Sequence, residues 1–327
     1  MSSVKFCRQN FKDKLKLIDQ YMTQFKIPYS FYGSPPVTSI GSSEVKPFIH
    51  LIDLLSKVKV AIDNDVGTGF FRDDDVKNVL EKLRKSKSKS FKNEKLETAK
   101  QNLISAWIDE AALYESLSND TLKFPGWSII KFYYGIYHGI SSITRTVDPN
   151  MDESNHNVKI KVLNDMFLNN KEMSKYLLPP LSATFDVRFK KYRFANPLTK
   201  NSSTHSDWIK NNLIGCLAFT YSKLRSPPPI ISLFNMFKLF REYVNYYGTG
   251  ATRFLYGTSV KENLKKSLPY INFYFQVMVE NYLIANVGYS EIKGLWDNFK
   301  EAMTSNFGVE FNLQQTRFDT YTSFFTT

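Results

Sequence analysis

Four side chains in the middle of the chain are of types that move protons and hold phosphates. Lys131, His138 and Arg145 follow one another at intervals of seven residues, and His156 comes eleven residues after Arg145. An imidazole titrates near neutral pH, so a histidine can accept or donate a proton there. Lysine and arginine bind phosphate oxygens and stabilise the charge that develops on them. Lys131, His138, Arg145 and His156 are therefore the candidate catalytic residues.

One helix over about 124–150 must position the first three of these residues. Pro125 and Gly126 are typical of a helix start, and Pro149 is expected to end it. At about 100° per residue, Lys131, His138 and Arg145 lie on the face opposite the apolar stripe. Gly135 and Gly139 are expected to let another backbone approach closely. The stripe has steps of three and four residues and consists of Ile129, Phe132, Ile136, Ile140, Ile143 and Val147.

Similar apolar spacing predicts a mainly α protein built as a multi-helix bundle. We expect an N-terminal helical region over 1–94, a central bundle over 95–225 and a C-terminal helical region over 226–327. Segment 27–46 is rich in Pro, Gly and Ser and is predicted to be an irregular connection or a short pair of extended pieces. Segment 188–205 is predicted to be a basic, polar connection. The helices are expected at about 9–26, 47–62, 74–84, 95–118, 153–170, 206–224, 231–248, 258–286 and 290–304.

The composition describes a globular protein with a moderate positive charge. The 327 residues include 43 Lys and Arg against 31 Asp and Glu, which gives a net charge of +12, and 43% of the residues are hydrophobic. Disorder and a disulfide scaffold are excluded on these grounds. The two cysteines, Cys7 and Cys216, form no metal-ligand pattern, and the start of the chain is charged throughout. We expect a cytoplasmic protein with no metal, no cofactor and no membrane contact.

The positive charge is concentrated in two segments on either side of the central bundle. Residues 82–100 carry eight basic residues against Glu94 and Glu97, which is half of the net charge. Such a lysine-rich loop is either solvated or neutralises phosphates of a nucleic acid. The candidate nucleic-acid-binding residues are Arg84, Lys85, Lys87, Lys89 and Lys92 in the first segment, and Arg188, Lys190, Lys191 and Arg193 in the second.

The central region, roughly 95–200, resembles HEPN domains, which are small helical bundles. An aromatic run ending in a histidine, here Tyr133, Tyr134, Tyr137 and His138, is similar to a pattern in the core helix of that family. His156 matches a later histidine that opens the next helix. The segment FREYVNYYG at 240–248 is similar to one near the end of such bundles.

This resemblance implies a homodimer that works on RNA rather than DNA, in a bacterial or phage-related defence or toxin system. HEPN proteins act there as metal-independent ribonucleases or as binding modules. The family's ribonuclease motif, an Arg four to six residues before a His, is absent, since Arg145 is the nearest Arg upstream of His156. Either the domain is not catalytic, or a rebuilt site uses His138 or His156 to take a proton from a ribose 2′-hydroxyl while Lys131 and Arg145 hold the phosphate.

Two other functions stay open. A helical module that binds a protein through its Phe and Tyr faces would use its basic loops for solubility only. A metal-dependent nuclease would use the Glu44–Lys46 pair of the SSEVK segment, but the upstream Asp expected on a strand is missing. The sequence lacks a P-loop, a dinucleotide fingerprint, HExxH and GxSxG, so those nucleotide, zinc and serine chemistries are disfavoured.

Overall fold

The structure of the protein is a computed structural model that describes residues 51–60, 93–118, 125–147, 155–169, 181, 183–193, 203–246, 255, 258–307 and 311–325. The described part is mainly α-helical, which confirms the predicted fold class. Its helices are α1 (51–60), α2 (Asn93–Ser118), α3 (Pro125–Arg145), α4 (His156–Asn169), α5 (Ser203–Lys223), α6 (Leu233–Tyr246), α7 (Thr258–Val287), α8 (Tyr289–Phe307) and α9 (Asn312–Phe325).

Helices α2 and α3 pack side by side in opposite directions. The hydroxyls of Ser116 and Ser128 lie 2.9 Å apart near one end, and Ser142 Oγ donates to the carbonyl of Ala99 at 2.7 Å near the other. The predicted apolar stripe of α3 is buried from Ile129 to Ile143. The helix ends at Arg145, before the predicted stop at Pro149.

Helix α7 packs against α3 at its two glycines, where side chains of α7 occupy the space that the glycines leave. Gln276 Nε2 donates to the carbonyl of Gly135 at 3.0 Å. A Cβ on Gly139 would lie 2.6 Å from Cε1 of Phe275, which is closer than real Cβ contacts. Helix α7 continues through Pro269, although a proline usually kinks or ends a helix.

A buried ion cluster joins α2, α7 and α9. Arg317 is fully buried, and its Nη2 lies 2.6 Å from Oε2 of Glu110 and 2.9 Å from Oε1 of Glu280. Trp107 Nε1 and the Tyr321 hydroxyl also donate to the Glu280 carboxylate, at 2.9 and 2.8 Å. Because buried charges are costly unless they are paired and hydrogen-bonded, this cluster specifies how the C-terminal helix sits on the core.

Three strands of three residues each interrupt the helices. They are β1 (Thr184–Asp186), β2 (Lys191–Arg193) and β3 (Ile230–Ser232), in the order β2-β1-β3 with antiparallel pairing throughout. Phe185 pairs with Tyr192 on one side and Ile231 on the other. The predicted connection over 188–205 therefore contains β2 and the first residues of α5. Strands of three residues are too short to show a period in the sequence.

Several sequence predictions concern residues outside the described ranges. They include the helices over 9–26 and 74–84, the connection over 27–46, the SSEVK segment and the basic loop with Arg84, Lys85, Lys87, Lys89 and Lys92. Among the helices that are described, none is long and apolar enough to cross a membrane.

Candidate functional site

Asp109 on α2 joins two of the predicted site residues on α3. Its Oδ1 lies 3.2 Å from Nζ of Lys131, and its Oδ2 lies 2.8 Å from Nδ1 of His138. Residues seven apart on a helix are about 10.5 Å apart along its axis and lie on the same face. A carboxylate on the facing helix can therefore bind both. The Asp109 side chain is only 10% exposed, while those of Lys131 and His138 are 39% and 28% exposed.

The bond to Asp109 determines how His138 can act. A carboxylate only accepts hydrogen bonds, so Nδ1 of His138 carries the hydrogen and donates it. In the neutral ring the lone pair is then on Nε2. The ring is held in orientation by a largely buried acid and is itself partly open to solvent. His138 is thus arranged to accept a proton from a bound ligand.

His156, the first residue of α4, lies against the aromatic run of α3. Asn155 Oδ1 accepts a bond from the backbone N of Val158 at 3.2 Å and caps the helix. The His156 ring stacks on Tyr137 at 3.9 Å between centroids, and its Nδ1 lies 2.6 Å from the hydroxyl of Tyr133. This stacking fixes the imidazole between α3 and α4.

Burial, and after it the positive charges of Arg241, Lys238 and Lys159, lowers the pKa of His156 to about 4. The imidazole is therefore neutral at pH 7. Burial also raises the pKa of the Tyr133 hydroxyl, so the phenol stays protonated. We assign this phenol as the donor to Nδ1, which puts the ring hydrogen of His156 on Nε2, where it can donate to an anion.

Helix α6 brings Arg241 to the same place. Its Nη2 donates to the hydroxyl of Tyr134 at 3.0 Å, and the guanidinium lies over the rings of Tyr133 and Tyr134 at 5.8 and 5.6 Å. Aromatic faces attract cations in this way, and the contact holds the guanidinium in position. Arg241 belongs to the FREYVNYYG segment that carries part of the HEPN resemblance.

The site has more positive than negative side chains. Lys238 pairs with Glu242 at 2.6 Å, and the fully buried Lys159 donates to Ser141 Oγ at 2.8 Å. Together with Lys131 and Arg241, these two lysines make four cations. The site has two carboxylates, Asp109 and Glu242, and each of them is in an ion pair. We call this surface, made of Lys131, Tyr134, His138, His156, Lys238 and Arg241, the histidine face.

The predicted site residues are brought together in part. Lys131 and His138 meet at Asp109, and His156 is close enough to His138 for its pKa to respond to that ring. Arg145 lies two turns beyond His138, about 10.5 Å along the helix, and is buried at 6% exposure. Arg145 is therefore buried in the fold and not solvated at the end of α3.

The second basic segment forms the turn between β1 and β2. Arg188 Nη2 lies 3.3 Å from Oδ2 of Asp186, and its guanidinium lies 5.5 Å from the ring of Phe189, which is 67% exposed. Lys190, with φ of 49°, and Lys191 are exposed. Arg193 ends β2, and its side chain is outside the described part. The turn thus presents at least three cations beside one aromatic ring.

Sequence reasoning missed Asp109 and Arg241 as site residues. The signal for Asp109 is the acidic pair in AWIDEAAL, where two carboxylates lie in an otherwise apolar helical stretch. Such residues are almost never buried unless they are paired. Arg241 lies in the FREYVNYYG segment, but no local pattern shows its partners, because they lie more than 100 residues earlier in the chain.

The described residues contain no group of three or more His, Cys, Asp or Glu side chains that could hold a metal ion. Comparison of the chain with family models, curated proteins and solved structures found no match. The functional argument therefore starts from the histidine face itself.

Proposed function

We propose that this protein binds RNA at the histidine face, as a HEPN-like protein of a bacterial or phage-related defence or toxin system. The observation that supports the proposal is the meeting of cations and aromatic rings at a partly open surface, with both carboxylates already paired. Cations neutralise phosphates, and aromatic rings stack on bases. The match of Tyr133, Tyr134, Tyr137, His138 and His156 to the HEPN pattern agrees with this proposal.

The Asp109–His138 pair favours a second function, cleavage of the bound strand. Nε2 of His138 would take the proton of a ribose 2′-hydroxyl, and the 2′-oxygen would attack the adjacent phosphorus. The bond from phosphorus to the 5′-oxygen breaks, the 5′-oxygen takes a proton from a water molecule, and a 2′,3′-cyclic phosphate remains. The resulting hydroxide takes the proton back from His138, which returns the ring to its neutral form. Arg241 and Lys131 would stabilise the charge on the phosphate oxygens, and Nε2–H of His156 would donate to one of them.

Binding is tested by fluorescence anisotropy with a labelled 20-nucleotide single-stranded RNA at 50 and 200 mM salt. Three to four phosphate contacts at the histidine face alone predict that the affinity falls by about 20- to 50-fold between these conditions, and any contacts from the turn between β1 and β2 add to this fall. Arg241→Gln is expected to weaken binding. Lys300→Gln on α8 removes one positive charge elsewhere and is expected to leave it unchanged. No measurable binding at 50 mM salt would overturn the proposal and favour a protein-binding module.

A further inference from the structure

The solvent-accessible part of α3 is a narrow line of residues. Fifteen of its 21 residues are buried. The other six are Gly126 and Ile130, together with Trp127, Lys131, Tyr134 and His138. Their spacing of four, three and four residues puts them on one face of the helix. We call these four residues the exposed line of α3.

Trp127 is the most exposed member, at 60%. A single exposed aromatic residue needs no explanation by itself. This one lies on the same face as the cation and the rings of the histidine face, with Lys131 one turn away and Tyr134 two turns away. Trp127 thus stands at the end of a line of cationic and aromatic side chains. Grooves that bind single-stranded nucleic acid combine the same two kinds of side chain.

We propose that Trp127 and Tyr134 are stacking sites for unpaired bases of the bound strand, an inference that rests on the proposed function. Trp127 and Tyr134 are about 10.5 Å apart along the helix, and stacked bases rise by about 3.4 Å, so the two rings bind bases about three steps apart. Lys131 lies between them and contacts the intervening phosphates. The strand then reaches His138 about 6 Å beyond Tyr134.

Charge complementarity identifies the occupant as a polyanion rather than a second copy of this basic chain. The cations along the line are Lys131 and, from α6, Arg241, whose guanidinium packs against Tyr134. The nearby carboxylates Asp109 and Glu242 are paired with Lys131, His138 and Lys238. Duplex RNA keeps its bases stacked inside the helix, so this site is expected to select single strands.

The test compares a 12-nucleotide single-stranded RNA with a duplex of the same length, using tryptophan fluorescence and anisotropy on the full chain. The chain has four tryptophans, of which Trp107 and Trp296 are fully buried. The quenching that comes from Trp127 is identified as the part of the signal that Trp127→Phe removes. Trp127→Ala is expected to weaken single-strand binding by about 5- to 150-fold, the range measured for loss of one stacked base. Trp127→Phe, which keeps a ring, should bind within about threefold of the original.

Tyr221→Ala is the matched control, because it removes another exposed aromatic ring, 41% exposed, from α5. It is expected to leave RNA binding unchanged. Unchanged affinity of Trp127→Ala, or equal binding and quenching by the duplex, would overturn the stacking site. The stacking site would also be overturned if Trp127→Ala sediments as a smaller species than the original protein while its RNA affinity stays the same. That result would mean that Trp127 contacts a second copy of the chain and not RNA.

These results separate the two proposals. If the original protein binds RNA and Arg241→Gln weakens that binding while Trp127→Ala does not, only the stacking site fails. If the original protein binds neither the single-stranded RNA nor the duplex at low salt, the proposed function fails and the stacking site fails with it.

Discussion

The Asp109 carboxylate accepts a hydrogen bond from Nδ1 of His138 at 2.8 Å, across two helices that run in opposite directions. The same carboxylate binds Lys131. One acidic side chain thus orients the only imidazole of α3 and a cation next to it. This relationship makes His138 the residue of the histidine face best prepared to move a proton.

The first prediction concerns cleavage. His138→Ala is expected to lower the rate of RNA cleavage by about 10²- to 10⁴-fold, the usual contribution of a general base. Asp109→Asn should lower it as well, because an amide does not hold the imidazole as a carboxylate does. RNA affinity should change little in His138→Ala. The measurement is the rate of cyclic-phosphate formation from a labelled RNA in EDTA, and equal rates in the original and both variants would exclude this role.

The second prediction concerns the salt dependence contributed by the turn between β1 and β2. A triple variant changes Arg188, Lys190 and Lys191 to Gln and is expected to weaken RNA binding. It should also reduce the slope of log affinity against log salt by about 2, because each of three phosphate contacts contributes about 0.7. Anisotropy titrations at four salt concentrations measure the slope. An unchanged slope would show that these exposed cations are solvated and contact no phosphate.

The third prediction follows from the lowered pKa of His156. The folded state disfavours the protonated ring, so between pH 6.5 and pH 4 the unfolded chain binds more protons, and stability falls as the pH decreases through this range. The ring is half-buried, so solvent screening reduces the effect to about 1 kcal/mol between pH 7 and pH 5.

Urea unfolding at the two pH values measures this loss, with His156→Phe as the comparison. Phenylalanine keeps a ring on Tyr137 and does not titrate, so the variant should lose about 1 kcal/mol less than the original between pH 7 and pH 5. An equal loss in both proteins would show that other groups carry the pH dependence.

The fourth prediction concerns the buried ion cluster. Arg317→Leu leaves Glu110 and Glu280 buried without their cation and is expected to lower the free energy of unfolding by about 3–5 kcal/mol. Burial already raises the pKa of Glu110, although Arg317 opposes the shift. Lys293→Ala breaks an exposed pair with Asp297 and should cost less than about 1 kcal/mol. Similar losses from both variants in urea unfolding would contradict the importance of the buried cluster.

The fifth prediction uses two helical glycines with opposite surroundings. Gly139→Ala puts a Cβ 2.6 Å from Phe275 and should destabilise the protein by about 1–3 kcal/mol. Gly215→Ala on α5 meets nothing within 4 Å and should stabilise it by about 0.5–1 kcal/mol, because alanine is the better helix former. Thermal unfolding measures both changes, and a gain in stability at Gly139 would show that α7 does not pack on α3 as described.

The helices could be predicted because their signal is local. The stripe from Ile129 to Ile143 repeats at helical spacing, and the same periodicity located α2 and α4 within a few residues of their observed ends. The contact at Gly135 and Gly139 was also predictable, because two glycines one turn apart leave room for a neighbouring helix. The three-residue strands and α9 carry too little periodic signal to be found in this way.

The sequence by itself determined the fold class, the positive charge and the alignment of Lys131 with His138, since all three depend on composition or on spacing along one helix. Only the tertiary structure decided which partners these residues meet. Asp109 binds His138 across 29 positions and Arg241 reaches Tyr134 across 107. Such pairs depend on how the helices pack. A buried carboxylate or guanidinium needs a partner, and the packed core determines which residue that partner is.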